Sequence, residues 1–167
     1  DVQTMARYNA WQYNLLMKGV DGMDQGELDR DRGAFFTSIQ GTLSQLLWGD
    51  MMWLARFDPR CDPPAAPLER SMKNFPTKSD WLAERFACDG RIRAWADDLR
   101  QVDLQGLINW YSAAMDKDFS AEYGACVAHF FNHQTHHRGQ VHAMLTAAGE
   151  TAPVTDIPFM PEDVLWR

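Results

Sequence analysis

The segment that most constrains the fold of this chain runs from Ser120 to Gly149 and is predicted to form one long helix. Four of the five histidines in the sequence fall between residues 129 and 137. Apolar residues flank them at the three- and four-residue steps of a core-facing helix face, namely Cys126, Phe130, Val141 and Met144. His133 and His137 stand four apart on that face, so both imidazoles are predicted to point inward.

Two inward-pointing imidazoles need partners, because burying an unpaired polar ring against hydrocarbon is unfavourable. A divalent metal ion shared by His133 and His137 would satisfy both rings. The alternative is an ordinary pair of core histidines. His129 lies one turn earlier on the same face, either as a partly exposed histidine or as a further ligand. We therefore predict a metal site on this helix.

Length and composition limit the classes of protein that this chain can belong to. Its 167 residues suit a single domain over residues 1–167. A formal net charge of -7 argues against nucleic acid as a partner, because phosphate contacts need a basic patch. Three widely spaced cysteines suit a reducing cytosol, and no apolar run approaches the length of a membrane span. We expect a cytoplasmic protein without a membrane partner.

Three further helices are predicted from the spacing of apolar residues, over residues 2–18, 34–57 and 81–101. The apolar positions predicted for the third of these are Leu82, Phe86, Ile92, Trp95 and Leu99. Four amphipathic helices favour an all-α four-helix bundle. The tail over residues 151–167 is predicted to pack across the bundle through Ile157, Phe159, Val164, Leu165 and Trp166.

Two connections between the predicted helices are unusual. Residues 58–77 hold five prolines, and a connection of this length tends to be functional or to span the molecule. Residues 103–119 lose the helical period, and Leu107–Tyr111 has strand propensity. A small hairpin or an extended connector is therefore predicted before the last helix.

One face of the second long helix is unusually small and polar. Its members recur at three- and four-residue steps and are Ser38, Gly41, Gln45, Gly49, Met52 and Arg56. A glycine inside a helix costs about 1 kcal/mol relative to alanine, so the two glycines need a reason. Close approach of a neighbouring helix and space for a ligand are the two explanations.

Three runs of this sequence are distinctive together, namely ARYNAW at residues 6–11, GTLSQLLWGDMMWLARF at residues 41–57 and FNHQTHHRGQ at residues 131–140. They resemble the DinB (damage-inducible) family of DinB/YfiT-like bundles. The resemblance covers nearly the whole chain in the same order. It implies a four-helix bundle of up-down-down-up topology, often a homodimer, with a divalent metal ion held by three histidines.

The resemblance also implies a ligand set for zinc, nickel or iron. Its last-helix histidine pair maps onto His133 and His137, and its second-helix histidine maps onto Gln45. A carboxamide oxygen is a weaker donor than imidazole, so the site is expected to bind more weakly, to favour a harder ion or to be empty. A buried Gln45 that hydrogen-bonds a histidine is the alternative to a coordinating one.

Other residues are predicted around this centre. Gln140 and Asn132 are candidates for the hydrogen bonds that metal-bound imidazoles usually make. Tyr8, Met52 and Trp53 are candidates for a pocket wall, although aromatic residues at helical spacing also form ordinary core. Asp50, five residues after Gln45, is the nearest carboxylate candidate for a general base, although this spacing puts it on a different face of the helix from Gln45.

Two functions are predicted from these features. The first is a divalent-metal-dependent enzyme that acts on a small molecule such as a low-molecular-weight thiol. Thiol S-transfer is favoured over hydrolysis, because the bundles that the chain resembles include thiol S-transferases. The second is a non-catalytic, stress-related bundle or dimerisation module whose metal site has degenerated at Gln45. A nucleic-acid role follows only from the damage-inducible name of the family, and the net charge argues against it.

Overall fold

The computed structural model of the protein describes residues 1–113 and 115–162. Its helices are α1 (Val2–Val20), α2 (Gln25–Asp29), α3 (Ile39–Phe57), α4 (Lys78–Asp98) and α5 (Tyr123–Ala147). Its strands are β1 (Leu107–Ser112) and β2 (Lys117–Glu122), and its 3-10 turns are Leu68–Lys73, Gln101–Leu104 and Ile157–Phe159. The two strands pair as an antiparallel hairpin. The predicted all-α bundle with a small hairpin before the last helix is therefore confirmed.

Helices α3 and α4 run parallel to each other. At their first turns the indole N–H of Trp81 donates to the Leu43 carbonyl at 2.9 Å. At their last turns the rings of Phe57 and Trp95 stack with centroids 5.2 Å apart. Two consecutive long helices can be parallel only if the chain returns along the whole bundle between them, so the long connection over residues 58–77 is required by this topology.

Helices α1 and α5 run opposite to that parallel pair. On α1, Gln3 donates to the Leu99 carbonyl just beyond the end of α4, whereas Asn9 donates to Asp89 within it. The contacts of α5 with α3 also run in reverse order, since its Phe130 packs on Phe57 and its Gln134 on Asp50. The order is therefore up, down, down and up, which confirms the predicted topology.

The connection between α3 and α4 packs along α3 through hydrogen bonds from that helix. The Ser44 hydroxyl donates to the Ser71 carbonyl at 2.7 Å and accepts from the Phe75 amide at 3.0 Å. The indole N–H of Trp48 donates to the Ala66 carbonyl at 2.7 Å. These bonds fix the proline-rich segment beside the small and polar face of α3.

Three helices begin at other residues than the sequence predicts. Helix α5 begins at Tyr123 rather than at Ser120, because residues 120–122 belong to strand β2. Helix α3 begins at Ile39 rather than at residue 34, because the Ser38 side chain caps it by accepting a backbone hydrogen bond. Helix α4 begins at Lys78 rather than at residue 81, with Thr77 as its cap. Side-chain caps set the first residues of α3 and α4. Apolar spacing alone starts α3 too early and α4 too late.

The predicted core face of α4 is wrong at its first two positions. Leu82 and Phe86 are exposed, with relative accessibilities of 38% and 54%. The side chains one position earlier, Trp81 and Arg85, are fully buried instead. An arginine can take a core position only when its charge is paired, and the partners of Arg85 come from the fold rather than from apolar spacing.

The tail lies across α1 and α5 in its described part. Gln12 donates to the Val154 carbonyl at 2.9 Å, and a ring nitrogen of His142 donates to the Pro153 carbonyl at 3.1 Å. Ile157 and Phe159 are exposed, so the prediction that they pack on the bundle is wrong. The predicted contacts of residues 164–166 lie outside the described residues. None of the described helices is long and apolar enough to span a membrane.

Candidate metal site

The histidine pair of α5 occupies the predicted inward face of that helix. The rings of His133 and His137 have centroids 4.5 Å apart, and the His137 side chain is buried. Phe36, which precedes α3, packs on the His137 ring at 5.1 Å. The neighbouring His136 is exposed. Two of the four clustered histidines thus lie together on this face, with His137 buried and His133 partly exposed to the cavity.

Both imidazoles of the pair are neutral near pH 7. Burial and the neighbouring His137 lower the pKa of His133 to about 4. Burial also lowers the pKa of His137, although its hydrogen bond with Gln140 acts in the opposite direction. The Gln140 carboxamide oxygen can only accept, so His137 Nδ1 donates to it at 2.8 Å. His137 Nε2 therefore keeps a free lone pair, the tautomer that a metal ligand needs.

Gln45 has an unpaired side-chain oxygen and lines the same cavity as His133. Its side chain is buried, and no group in the described part of the chain donates a hydrogen bond to its Oε1 atom. A buried acceptor without a partner costs about 1–3 kcal/mol, so a water molecule or another ligand is expected to pair with this oxygen. No hydrogen bond between Gln45 and a histidine is present among the described residues.

Gly49, one turn after Gln45, allows α3 to approach His133 closely. A Cβ atom built on Gly49 would lie 3.1 Å from His133 Cε1, tighter than side chains normally pack. Gln45, Gly49 and His133 also line one cavity. Both explanations for the small residues of α3 therefore apply, since the glycine permits close packing and the face borders an open space.

The cavity has a volume of about 530 Å³ and lies between α3 and α5. The proline-rich connection covers it with Pro63, Pro64, Ala65, Ala66 and Pro67, and the hairpin tip adds Tyr111, Ser112 and Ala113. Met52 and Trp53 form part of its wall, as predicted. His129 lies at its edge, where its ring is 5.2 Å from that of Trp53 and 5.8 Å from that of His133.

Two predicted neighbours of the site lie elsewhere. The hydroxyl of Tyr8 donates to the Thr155 carbonyl at 2.6 Å, and its ring lines a separate cavity between α1, α5 and the tail. The pocket prediction for Tyr8 is therefore wrong, because α1 packs on α4 and α5 while the site opens beside α3. Asn132 is exposed on α5, whereas Gln140 is the hydrogen-bond partner of His137.

The donor set decides which ion the site suits. No group of three or more His, Cys, Asp or Glu side chains is placed to hold a metal ion in the described ranges 1–113 and 115–162. A three-ligand site here consequently needs Gln45 in addition to His133 and His137. Two neutral imidazoles and one carboxamide oxygen fit a divalent ion of borderline hardness, with further positions open to water or substrate.

A buried charge cluster, which the sequence interpretation missed, lies behind this site. Arg85 donates to Asp50 at 2.6 Å and to Asp89 at 2.5 Å, and all three side chains are at most 1% exposed. Gln134, next to His133 on α5, donates to Asp50 at 3.0 Å. Both carboxylate oxygens of Asp50 therefore accept hydrogen bonds from buried side chains, so Asp50 is not a general base for the cavity. The sequence feature that indicates such a cluster is Asp50, a carboxylate within the otherwise apolar helix α3.

The cluster should make stability depend on pH. Burial raises the pKa of Asp89 to about 6, against the opposing effect of Arg85, whereas an unfolded aspartate has a pKa of about 3.9. The folded chain holds this proton more tightly, so the stability it contributes is complete below about pH 4 and is lost as pH rises through about 6. We expect the free energy of unfolding, measured in urea, to fall across this window relative to Asp89→Asn.

The Asp89→Asn variant is a suitable reference because both proteins carry the same histidines. Any contribution from the lowered pKa of His133 therefore cancels in the difference between the two curves. Parallel curves from pH 4 to 6.5 would show that the Asp89 carboxyl does not titrate as its burial requires.

The sequence pattern of one family of known proteins matches nearly all of the chain. The sequence pattern of the DinB family matches residues 1–164, a range that includes α1 to α5 and every residue lining the cavity. A search of curated proteins finds no match.

Proposed function

This chain belongs to the DinB family, and from that premise we propose that it is a divalent-metal-dependent enzyme. His133, His137 and Gln45 would hold the ion, with Gln45 and His133 in the cavity wall and His137 buried beside His133. The observation that carries the proposal is the buried Gln45 Oε1, which lacks a hydrogen-bond donor among the described residues. Its side chain lines the same cavity as His133, and the imidazoles of His133 and His137 are neutral. An ion is the partner that would satisfy all three groups together.

The favoured reaction is transfer of a low-molecular-weight thiol to a small electrophile, with hydrolysis second. A divalent ion lowers the pKa of a thiol or water that reaches it, which supplies a nucleophile near neutral pH. The apolar wall around Trp48, Met52 and Trp53 would exclude bulk water from the reacting groups. Thiol transfer is favoured because the bundles that the sequence resembles include thiol S-transferases.

A non-catalytic bundle or dimerisation module is the second candidate, and glutamine at the position of the family's third histidine favours it. The two candidates differ in metal content and in chemistry. An enzyme would bind an ion and accelerate thioether formation, in which a sulfur–carbon bond forms and the leaving group departs with its electron pair. The thiol proton would pass to solvent. A degenerate module would do neither.

Gln45→His tests whether residue 45 faces the histidine pair. Imidazole is a stronger donor than a carboxamide oxygen for zinc, so we expect the zinc affinity to rise about 10-fold or more. Competition against a chromogenic zinc chelator measures the change. Gln40→His is the matched control, because Gln40 is buried on the same helix but donates to the Phe75 carbonyl of the connection. Equal affinities for Gln45→His and the native protein would place residue 45 away from the ion.

A further inference from the structure

One cation lies in the wall of the cavity. Arg56, near the end of α3, is the only lysine or arginine among the described residues that line it. Its guanidinium carbon lies 4.7 Å from the Trp53 ring centre and 5.2 Å from that of Trp110. Stacking on two indole rings holds the planar group in a fixed place without using its N–H donors.

The guanidinium of Arg56 has no ionic partner among the described residues, since no carboxylate there lies within 4 Å of it. Burial lowers its pKa, with the Cys126 thiol acting in the opposite direction. It stays charged, because arginine does not deprotonate in proteins. A half-buried cation whose N–H donors bind no group among residues 1–113 and 115–162 is suited to an anion that arrives with a ligand.

The rest of the cavity defines the shape of that ligand. Gly49, which touches His133, and Arg56 are seven residues apart on α3, a separation of about 10 Å along the helix axis. Apolar and aromatic side chains cover the space between the two ends, among them Trp48, Met52, Trp53 and Tyr111. Glu69 is the only acidic lining residue in the described ranges, and it is exposed in the connection that covers the cavity.

We propose that Arg56 binds the carboxylate of the substrate and thereby selects small, extended organic acids. The substrate class is a molecule with an apolar middle, a carboxylate at one end and the reacting atom at the other. This inference rests on the proposed function for the reacting end of the molecule, whereas the carboxylate end depends on Arg56 alone. Thiols that carry a carboxylate belong to this class, and Arg56 would be a specificity-determining residue for them.

The test compares two thiols of similar length, 8-mercaptooctanoate and 8-mercaptooctanol, by the quenching of tryptophan fluorescence. The acid should bind at least about 10-fold more tightly than the alcohol, because charge-assisted hydrogen bonds are worth about 1.5–3 kcal/mol. Arg56→Gln should abolish the preference. Arg56→Lys should keep only part of it, since an ammonium lacks the bidentate fork. Arg70→Gln, which removes one exposed charge outside the cavity lining, should leave the preference unchanged.

The comparison is made with metal-free and with metal-loaded protein, so that the two proposals fail separately. A preference for the acid that persists without metal and disappears in Arg56→Gln supports the role of Arg56, even if no ion binds to His133 and His137. Equal binding of acid and alcohol by the native protein overturns it, whatever the metal content. An undiminished preference in folded Arg56→Gln or Arg56→Lys also overturns it.

Discussion

Replacing Arg85 by methionine should lower the free energy of unfolding by about 3–5 kcal/mol, one of the largest effects available in this chain. The change leaves the carboxylates of Asp50 and Asp89 buried without their cation. Burial already raises the pKa of both groups, so the loss of Arg85 should drive them further towards the protonated form. Urea denaturation near neutral pH measures the loss, and part of it should be recovered at lower pH.

Arg60→Met is the matched control for the buried arginine. Arg60 also bridges two carboxylates, those of Asp58 and Asp98 at 2.8 and 2.9 Å, but its side chain is 62% exposed. Solvent screens such a pair, so the substitution should cost far less than Arg85→Met. Losses of similar size in the two variants would mean that burial does not determine the contribution of Arg85.

Replacing His137 by alanine should lower the affinity for a divalent ion about 100-fold. A structural zinc site with four ligands contributes about 10–16 kcal/mol, or roughly 3 kcal/mol for each ligand. The loss should be at least as large here, because Gln45 and His133 alone make a two-ligand site. Isothermal titration with zinc measures the affinity, and the circular dichroism of the variant shows whether the bundle has folded.

His136→Ala is the control for this loss. His136 is the next residue along α5 and its ring lies 4.9 Å from that of His137, yet it is exposed. Its removal should change the affinity little. If His136→Ala weakened binding as much as His137→Ala, the ion would lie on the surface of α5 rather than between α3 and α5.

The histidine helix was predictable from sequence because its information is local. The four-residue spacing of His133 and His137 and the apolar residues around them fix one face of a helix, and Gly149 ends it with a positive φ of 82°. The family resemblance, and not local spacing, predicts that Gln45 lies opposite this face. The physical support for this placement, an unpaired oxygen and a glycine against His133, appears only in three dimensions.

The failures of the sequence interpretation share one cause, which is that partners distant in sequence decide burial. Apolar spacing placed Leu82 and Phe86 in the core, whereas the fold buries Arg85 because Asp50 reaches it from α3. Tyr8 fits a core stripe equally well, but the choice between the two cavities depends on which helices α1 contacts. Neither the order of the helices nor a charge pair is visible in local spacing.

The metal content of the native protein tests the proposed site most directly. The protein should be purified without a nickel affinity tag, incubated separately with zinc, nickel, iron and manganese, dialysed and analysed by plasma mass spectrometry. We expect one ion per chain for at least one of the four metals, lost on replacement of His133 or His137. The absence of stoichiometric binding by any of the four would contradict a metal site on His133, His137 and Gln45.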